Sequence, residues 1–181
     1  MSKIIICGLN GSGKTTLGKV LAEKINYVHK DIEDYFFNNT QDYKYAYSLS
    51  KDKVIKLLEN DFKKYSNIIF TACKGDYGSI SENYDFAIYI KLDKNKRLER
   101  VKNRSFELFK ERILEGGDLY YREQRFWNYV YSRDEKEILK WFESLTCRKI
   151  VIDGNNSLSE NTELVMQIIN DFIDICKEDY K

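Results

Sequence analysis

The first apolar run of the chain, Lys3 to Cys7 (KIIIC), is a block dominated by β-branched residues and closed by Gly8. This is the pattern of a parallel strand buried on both faces. Residues 15–24 follow with helical spacing, which turns Leu17, Val20, Leu21 and Ile25 to one side. Further strands are predicted at 26–29, 67–72, 86–90 and 148–152. A helix over about 50–65 has Ser50 or Asp52 as its cap and Val54, Ile55, Leu57, Leu58 and Phe62 as its apolar face. Other helices are predicted at 94–104, 106–114, 134–144 and 160–176, and Gly116-Gly117 breaks the pattern between them. Residues 33–50 and 118–131 are aromatic-rich, and the first of these is too irregular for a framework element. Short strands separated by helices imply an α/β fold, a five-stranded parallel sheet with helices on both faces. There is no internal repeat or linker, so 1–181 is expected to be a single domain.

Composition narrows the setting. Thirty Lys and Arg against twenty-nine Asp and Glu leave a formal charge of +1, which supplies no bulk field for a large nucleic-acid footprint. The cysteines, Cys7, Cys73, Cys147 and Cys176, contain no CxxC pair and fit free thiols in a reducing cytoplasm better than a disulfide framework. No apolar stretch reaches ~18 residues, and the first one ends too early for a signal peptide. The expectation is a cytoplasmic protein without a membrane segment.

The strongest chemical signal is Gly8-Leu9-Asn10-Gly11-Ser12-Gly13-Lys14-Thr15, a match to GxxxxGK[ST] placed between a strand and an amphipathic helix. Glycines let backbone N–H groups curl around an anion, and the helix aims its positive end at the same point. Lys14 is expected to reach the β and γ phosphates of a nucleoside triphosphate, Thr15 to offer its hydroxyl to Mg²⁺, and Thr16 to add a phosphate contact. His29, the sole histidine, reads as a strand end, and no Cys/His cluster suggests zinc.

With these motifs the chain resembles the small P-loop kinase family that includes adenylate, shikimate and gluconate kinases, together with bacterial adenylate-kinase-like proteins loosely grouped as AAA family ATPases. The resemblance implies a three-layer P-loop nucleoside triphosphate hydrolase fold with a small helical lid, ATP and Mg²⁺ as cofactors, and transfer of the γ-phosphoryl group to a small acceptor. Asp31-Ile32-Glu33-Asp34 lies where relatives place an Asp-x-Asp serving magnesium and the acceptor hydroxyl, which makes Asp31, Glu33 and Asp34 candidates. Lys74-Gly75-Asp76-Tyr77-Gly78 follows the third strand, where Asp76 is expected near the metal and Lys74 or Tyr77 near the acceptor. This segment carries no arginine, unlike that of nucleoside-monophosphate kinases. Arg100 and Arg104 match the R-x-x-x-R spacing of the helix entering the lid, and i, i+4 guanidiniums share one helix face. Arg112, Arg122 and Arg125 fall in the implied lid, about 104–131, and residues 33–50 would cover the acceptor. Asp153-Gly154 takes the position that turns beside the adenine.

The resulting reading is an ATP-dependent kinase for a small acceptor, preferably a nucleoside or nucleotide. A sugar or other metabolite, or a nucleotide-binding regulator acting through a protein partner, are the alternatives. No NKxD motif supports a signalling GTPase, and the chain has little room for the extra helical domain of a motor ATPase.

Overall fold

The computed structural model describes residues 2–37, 43 and 45–178, with side chains for all of these except Glu82 and residues 172–178. The segment expected to cover an acceptor, 33–50, is described apart from 38–42 and 44, and the Cys176 thiol lies outside the described residues.

Five strands, β1 (Lys3–Cys7), β2 (Val28–Asp31), β3 (Ile68–Ala72), β4 (Phe86–Lys91) and β5 (Arg148–Asp153), form one sheet in the order β2-β3-β1-β4-β5. Every neighbouring pair is parallel. The chain winds outward from β1 to β2, returns through β3, then crosses β1 to reach β4 and β5. The winding direction thus changes beside β1, and the loop after β1 opens at the crevice where ligands of such sheets gather.

The apolar blocks of the strands serve both faces. Ile5 and Cys7 of β1, Phe70 and Ala72 of β3, and Tyr89 of β4 pack with Val54, Leu58 and Phe62 of α3 (Lys51–Lys64) and with Ile138 and Phe142 of α6 (Lys136–Ser144). Ile4, Ile6, Ile69, Ile88 and Ile90 pack on the other face with Leu17 and Leu21 of α1 (Lys14–Ile25) and Val165 and Ile169 of α7 (Leu158–Glu178). Ser50 stands at the N-cap of α3 in extended conformation but makes no side-chain cap bond.

Two differences from the sequence expectation bear on the site. Asn26 adopts the left-handed conformation (φ 55°) and closes α1 by donating its N–H to Ala22 and Glu23 carbonyls, so β2 starts two residues later than predicted. That shift places Asp31 at the carboxyl end of β2. Beyond β4, the helices expected at 94–104 and 106–114 are one helix, α4 (Lys94–Phe109), followed by a 3-10 turn at Lys110–Ile113. Its buried stripe, Arg97, Val101, Ser105 and Phe109, keeps a spacing of four throughout, so nothing interrupts it. Residues 118–131 hold all but the last residue of α5 (Tyr120–Ser132). Phe109, Ile113 and Leu119 form a small core of their own with Tyr43, Tyr45 and Trp127. Among the described residues no helix is long and apolar enough to cross a membrane.

Candidate phosphate site and adjoining acceptor cavity

The β1–α1 loop closes around backbone donors. Gly13 (φ 100°) and Gly11 (φ 82°) hold left-handed conformations, and a Cβ at Gly11 would collide with the Arg97 carbonyl oxygen. Lys14 Nζ donates to the Leu9 carbonyl at 3.2 Å, which folds the ammonium back across the loop. Ser12 Oγ is buried without a partner. Glycine-dependent backbone, a helix N-terminus and a lysine across the loop together make an anion cradle.

Asp31, 6% exposed, is the hub next to it. Its Oδ2 accepts from Thr15 Oγ1 at 2.5 Å and from Thr71 Oγ1 at 2.7 Å. Its Oδ1 accepts from the Glu33 N–H at 2.8 Å, capping the short helix α2 (Ile32–Phe36). The single Thr71 proton is committed to the carboxylate, so the 3.1 Å contact between His29 Nε2 and Thr71 Oγ1 requires an Nε2–H donor. Burial lowers the His29 pKa below its usual value, against the opposing pull of Asp31, which favours the neutral ring.

Thr15 in the first turn of α1 and Asp31 at the end of β2 offer hard oxygen donors, the chemistry that suits Mg²⁺. Among the described residues no cluster of three His, Cys, Asp or Glu side chains exists to hold a metal, so the ion would take its remaining ligands from phosphate and water.

Three cavities meet here. One, of about 210 Å³, is lined by Lys14, Thr15, Asp31, Glu33, Arg100 and Arg104. A second, of about 270 Å³, has aromatic walls from Phe37, Tyr45, Phe109 and Phe126. The two share Asn10, Glu33 and Arg104. Glu33 accepts from the Tyr45 hydroxyl at 2.8 Å and stands 3.9 Å from Arg104 Nη1. A third cavity, also about 270 Å³, extends from Gly13 and Thr16 to Gly154 and Asn161, and Arg100 Nη2 donates across it to the Gly154 carbonyl at 3.1 Å.

Behind the aromatic cavity, buried Glu123 accepts from Ser105 Oγ at 2.6 Å, and Ser105 Oγ accepts from Trp127 Nε1 at 3.3 Å, pinning α5 to α4. This orients Arg122, whose guanidinium lies 4.7 Å from the Tyr43 ring centroid and 5.2 Å from that of Phe109. Arg122 lines the aromatic cavity, its Nη2 stands 3.7 Å from Glu123 Oε1, and its buried Nη1 has no hydrogen-bond partner among the described residues.

Other candidates lie elsewhere. Asp76 forms a 2.7 Å ion pair with Lys74 and is 53% exposed on its side chain, and neither residue lines the three cavities. Tyr77 packs on Phe36 and Phe70, and burial pushes its hydroxyl up to about 12. Asp34 and Arg125 are exposed. Arg112 makes two hydrogen bonds to Asp118, at 3.0 and 2.6 Å, on the surface.

Two site residues escaped the sequence pattern. Arg133, just past α5, donates to Asn10 Oδ1 at 2.8 Å and to Cys73 Sγ at 3.4 Å, and so grips the phosphate loop. Thr71 is the one polar residue of β3 and lies next to its carboxyl end. The strand-end position of Thr71 was the available signal, whereas nothing local marks Arg133.

Several known proteins are similar to this chain in sequence or fold. The AAA domain family matches residues 4–140, more than half of the chain. The "Uncharacterized protein YqaC" of Bacillus subtilis is 24% identical over 176 residues, covering 92% of this chain and 97% of that protein. The "Adenylate kinase isoenzyme 6 homolog" of Schizosaccharomyces pombe is 30% identical over 123 residues, 65% of this chain and 68% of that protein. A shikimate kinase from Bacteroides thetaiotaomicron shares the fold with a TM-score of 0.61 at 12% identity, covering 93% of this chain and 98% of that one. A deoxyadenosine kinase from M. mycoides, solved with bound dATP, does so with a TM-score of 0.58 at 16% identity, covering 94% and 100%. The chain belongs to the AAA domain family, as one of its P-loop kinase-like proteins. Phosphotransferase chemistry is what that membership assigns to it.

Proposed function

We propose that the protein is an ATP-dependent kinase that transfers the γ-phosphoryl group to a small acceptor in the aromatic-walled cavity, preferably a nucleoside or nucleotide. The observation that carries this reading is the sharing of Asn10, Glu33 and Arg104 between the phosphate cavity and the aromatic one. An acceptor group presented at that junction would meet a carboxylate and a guanidinium beside the phosphate cradle.

In this proposal the loop residues 8–16 hold the triphosphate, and Lys14 leaves the Leu9 carbonyl to neutralise it. Thr15 and Asp31 would hold Mg²⁺, which supplies charge neutralisation on the phosphates when bound. Asp31 already accepts three hydrogen bonds, so it is suited to fixing Thr15 and the start of α2. Glu33, with its side chain 33% exposed at the junction, is the carboxylate placed to orient or deprotonate an acceptor hydroxyl. Arg100 and Arg104 lie one helical turn apart over the same cavity and would stabilise the migrating charge.

The aromatic walls suit a planar ring, and the Nη1 of Arg122, without a hydrogen-bond partner among the described residues, suits an anionic group on the acceptor. The helical arm 104–131 would act as the lid, since its small separate core gives it less to lose on moving than the sheet has. A second reading, a kinase for a sugar or other metabolite, has one specific observation behind it. Among the described residues, the aromatic cavity carries no amide side chain apart from Asn10 to read the edge of a base.

The test is acceptor-dependent ADP release from MgATP with separate pools of nucleosides, nucleoside monophosphates, sugars and sugar acids. Stimulation by a nucleoside or nucleotide pool supports the main reading, and stimulation only by a sugar pool supports the second. ATP turnover that no pool stimulates, with tight binding to a protein partner, would replace both with a regulatory ATPase.

A further inference from the structure

A cavity of about 770 Å³, larger than the three above, opens on the far side of the phosphate loop, between the carboxyl ends of β4 and β5 and the α5–α6 junction. Its lining mixes both charge signs, but the two signs differ in what they already hold. Asp93 accepts from the N–H groups of Asn95 and Lys96 at 2.8 and 3.3 Å. Asp153 accepts from the Asn155 N–H and Nδ2 at 2.8 and 2.7 Å. Asp134 takes the Lys136 N–H at 3.0 Å, and Glu135 takes the Tyr89 hydroxyl at 2.5 Å. The acidic groups are therefore provided for locally.

Among the cations, Lys91 stands across the strands from Asp153 and Lys94 lies over the Tyr131 ring, whereas Arg97 keeps a hydrogen-bond donor uncommitted. Arg97, only 5% exposed, donates from Nε to the Leu92 carbonyl at 3.2 Å, while its buried Nη1 has no hydrogen-bond partner among the described residues. A guanidinium stays charged in proteins, so this buried donor at the cavity wall is a place for an acceptor. Arg133 lines the same cavity and donates only to neutral atoms, Asn10 Oδ1 and Cys73 Sγ. Lys91 stands exposed on the cavity wall.

Two of these residues are tied to the phosphate loop. Arg133 holds the Asn10 side chain, and the Arg97 carbonyl lies where any side chain at Gly11 would go. We propose that this cavity is a binding site for a small oxyanion, a carboxylate or phosphate group held by Arg97 and Arg133, and that its occupancy tunes the phosphate loop through Asn10. The site is separate from the acceptor cavity and stands whether or not the acceptor is a nucleoside. An anion that draws on Arg133 changes its grip on Asn10, and by linkage any change in nucleotide affinity is matched by an equal change in anion affinity.

The test is an amide NMR titration of the full chain with inorganic phosphate and, separately, malonate, at constant ionic strength and with the loop saturated by MgADP. The expected result is saturable shifts at residues 91–94 and 133–135 with either or both anions, and an ADP affinity that differs at least threefold between the anion-free and anion-saturated protein. Whichever anion saturates names the group. Arg97→Lys should weaken the anion about tenfold or more, as expected for one charge-assisted contact. Lys91→Glu, an exposed substitution at the end of β4, should weaken it severalfold by repulsion once its fold is verified by thermal melting. No saturable shift with either anion, or affinity unchanged in Lys91→Glu and in folded Arg97→Lys, overturns the site. Saturable binding that leaves ADP affinity unchanged overturns the coupling to the loop.

Discussion

Glu33→Gln separates chemistry from architecture at the junction of the two cavities. The substitution keeps the side-chain length and leaves an amide oxygen to accept from the Tyr45 hydroxyl, which now bonds Glu33 at 2.8 Å. What it removes is one negative charge and the basic oxygen. The loss in stability comes from the 3.9 Å pair with Arg104, whose side chains are 33% and 39% exposed. Screening at that exposure limits the pair to about 0–1 kcal/mol. A carboxylate that handles the acceptor proton contributes about 10²–10⁴ in rate, or about 2.7–5.4 kcal/mol of barrier. The chemical effect therefore exceeds the structural one severalfold, and the two can be read apart. Steady-state kcat with the acceptor that supports turnover should fall at least about 10²-fold, while ATP affinity by calorimetry stays within about threefold and thermal stability moves little. A kcat within threefold of the unmodified protein would refute the role, and so would a loss of stability large enough to account for the fall in rate.

Three further outcomes follow from named contacts. Asp31→Asn puts an amide where two hydroxyls and the Glu33 N–H all donate, so it should cost about 1–3 kcal/mol in denaturant unfolding as well as slowing transfer; unaltered stability would contradict the hub. His29 has its folded pKa lowered by burial, so its contribution to stability is full above the unfolded value of about 6.5 and is lost as pH falls through the lower folded value. A melting series from pH 7.5 down to 5.5 should show that decline, and His29→Gln should flatten it. Leu58, fully buried between α3 and the sheet, should cost about 2–5 kcal/mol as Leu58→Ala without changing ATP affinity, and a shift below about 1 kcal/mol would contradict its place in the core.

How much of this was legible beforehand depends on how local each signal is. Lys3 to Cys7 declared β1 because a parallel strand buried on both faces needs an unbroken apolar run, and the glycine-lysine loop after it announced its own chemistry. β2 was faint, with Val28 its one β-branched apolar residue, and its start was displaced because Asn26 was taken by the cap of α1. The strand's later end is what brings Asp31 onto Thr15. Glu33 was visible as one of three neighbouring acids, but its separation from Asp31 needed the hydrogen bonds that occupy the latter. The charged Lys74-Gly75-Asp76 turn looked functional by position after β3, yet its two charges are joined to each other at the surface. Arg133 was invisible because its partner Asn10 is 123 residues away. Sequence patterning records local periodicity, and a guanidinium brought to a loop by the packing of α5 and α6 leaves no such trace.

The most direct measurement of the kinase proposal is ³¹P NMR of the protein with MgATP and pooled acceptors, with Lys14→Ala as the blank. A new phosphoester signal that appears with an acceptor pool and vanishes in Lys14→Ala is the expected result. Bound ATP that yields only slow hydrolysis, with no phosphoester from any pool, would contradict phosphoryl transfer to a small acceptor.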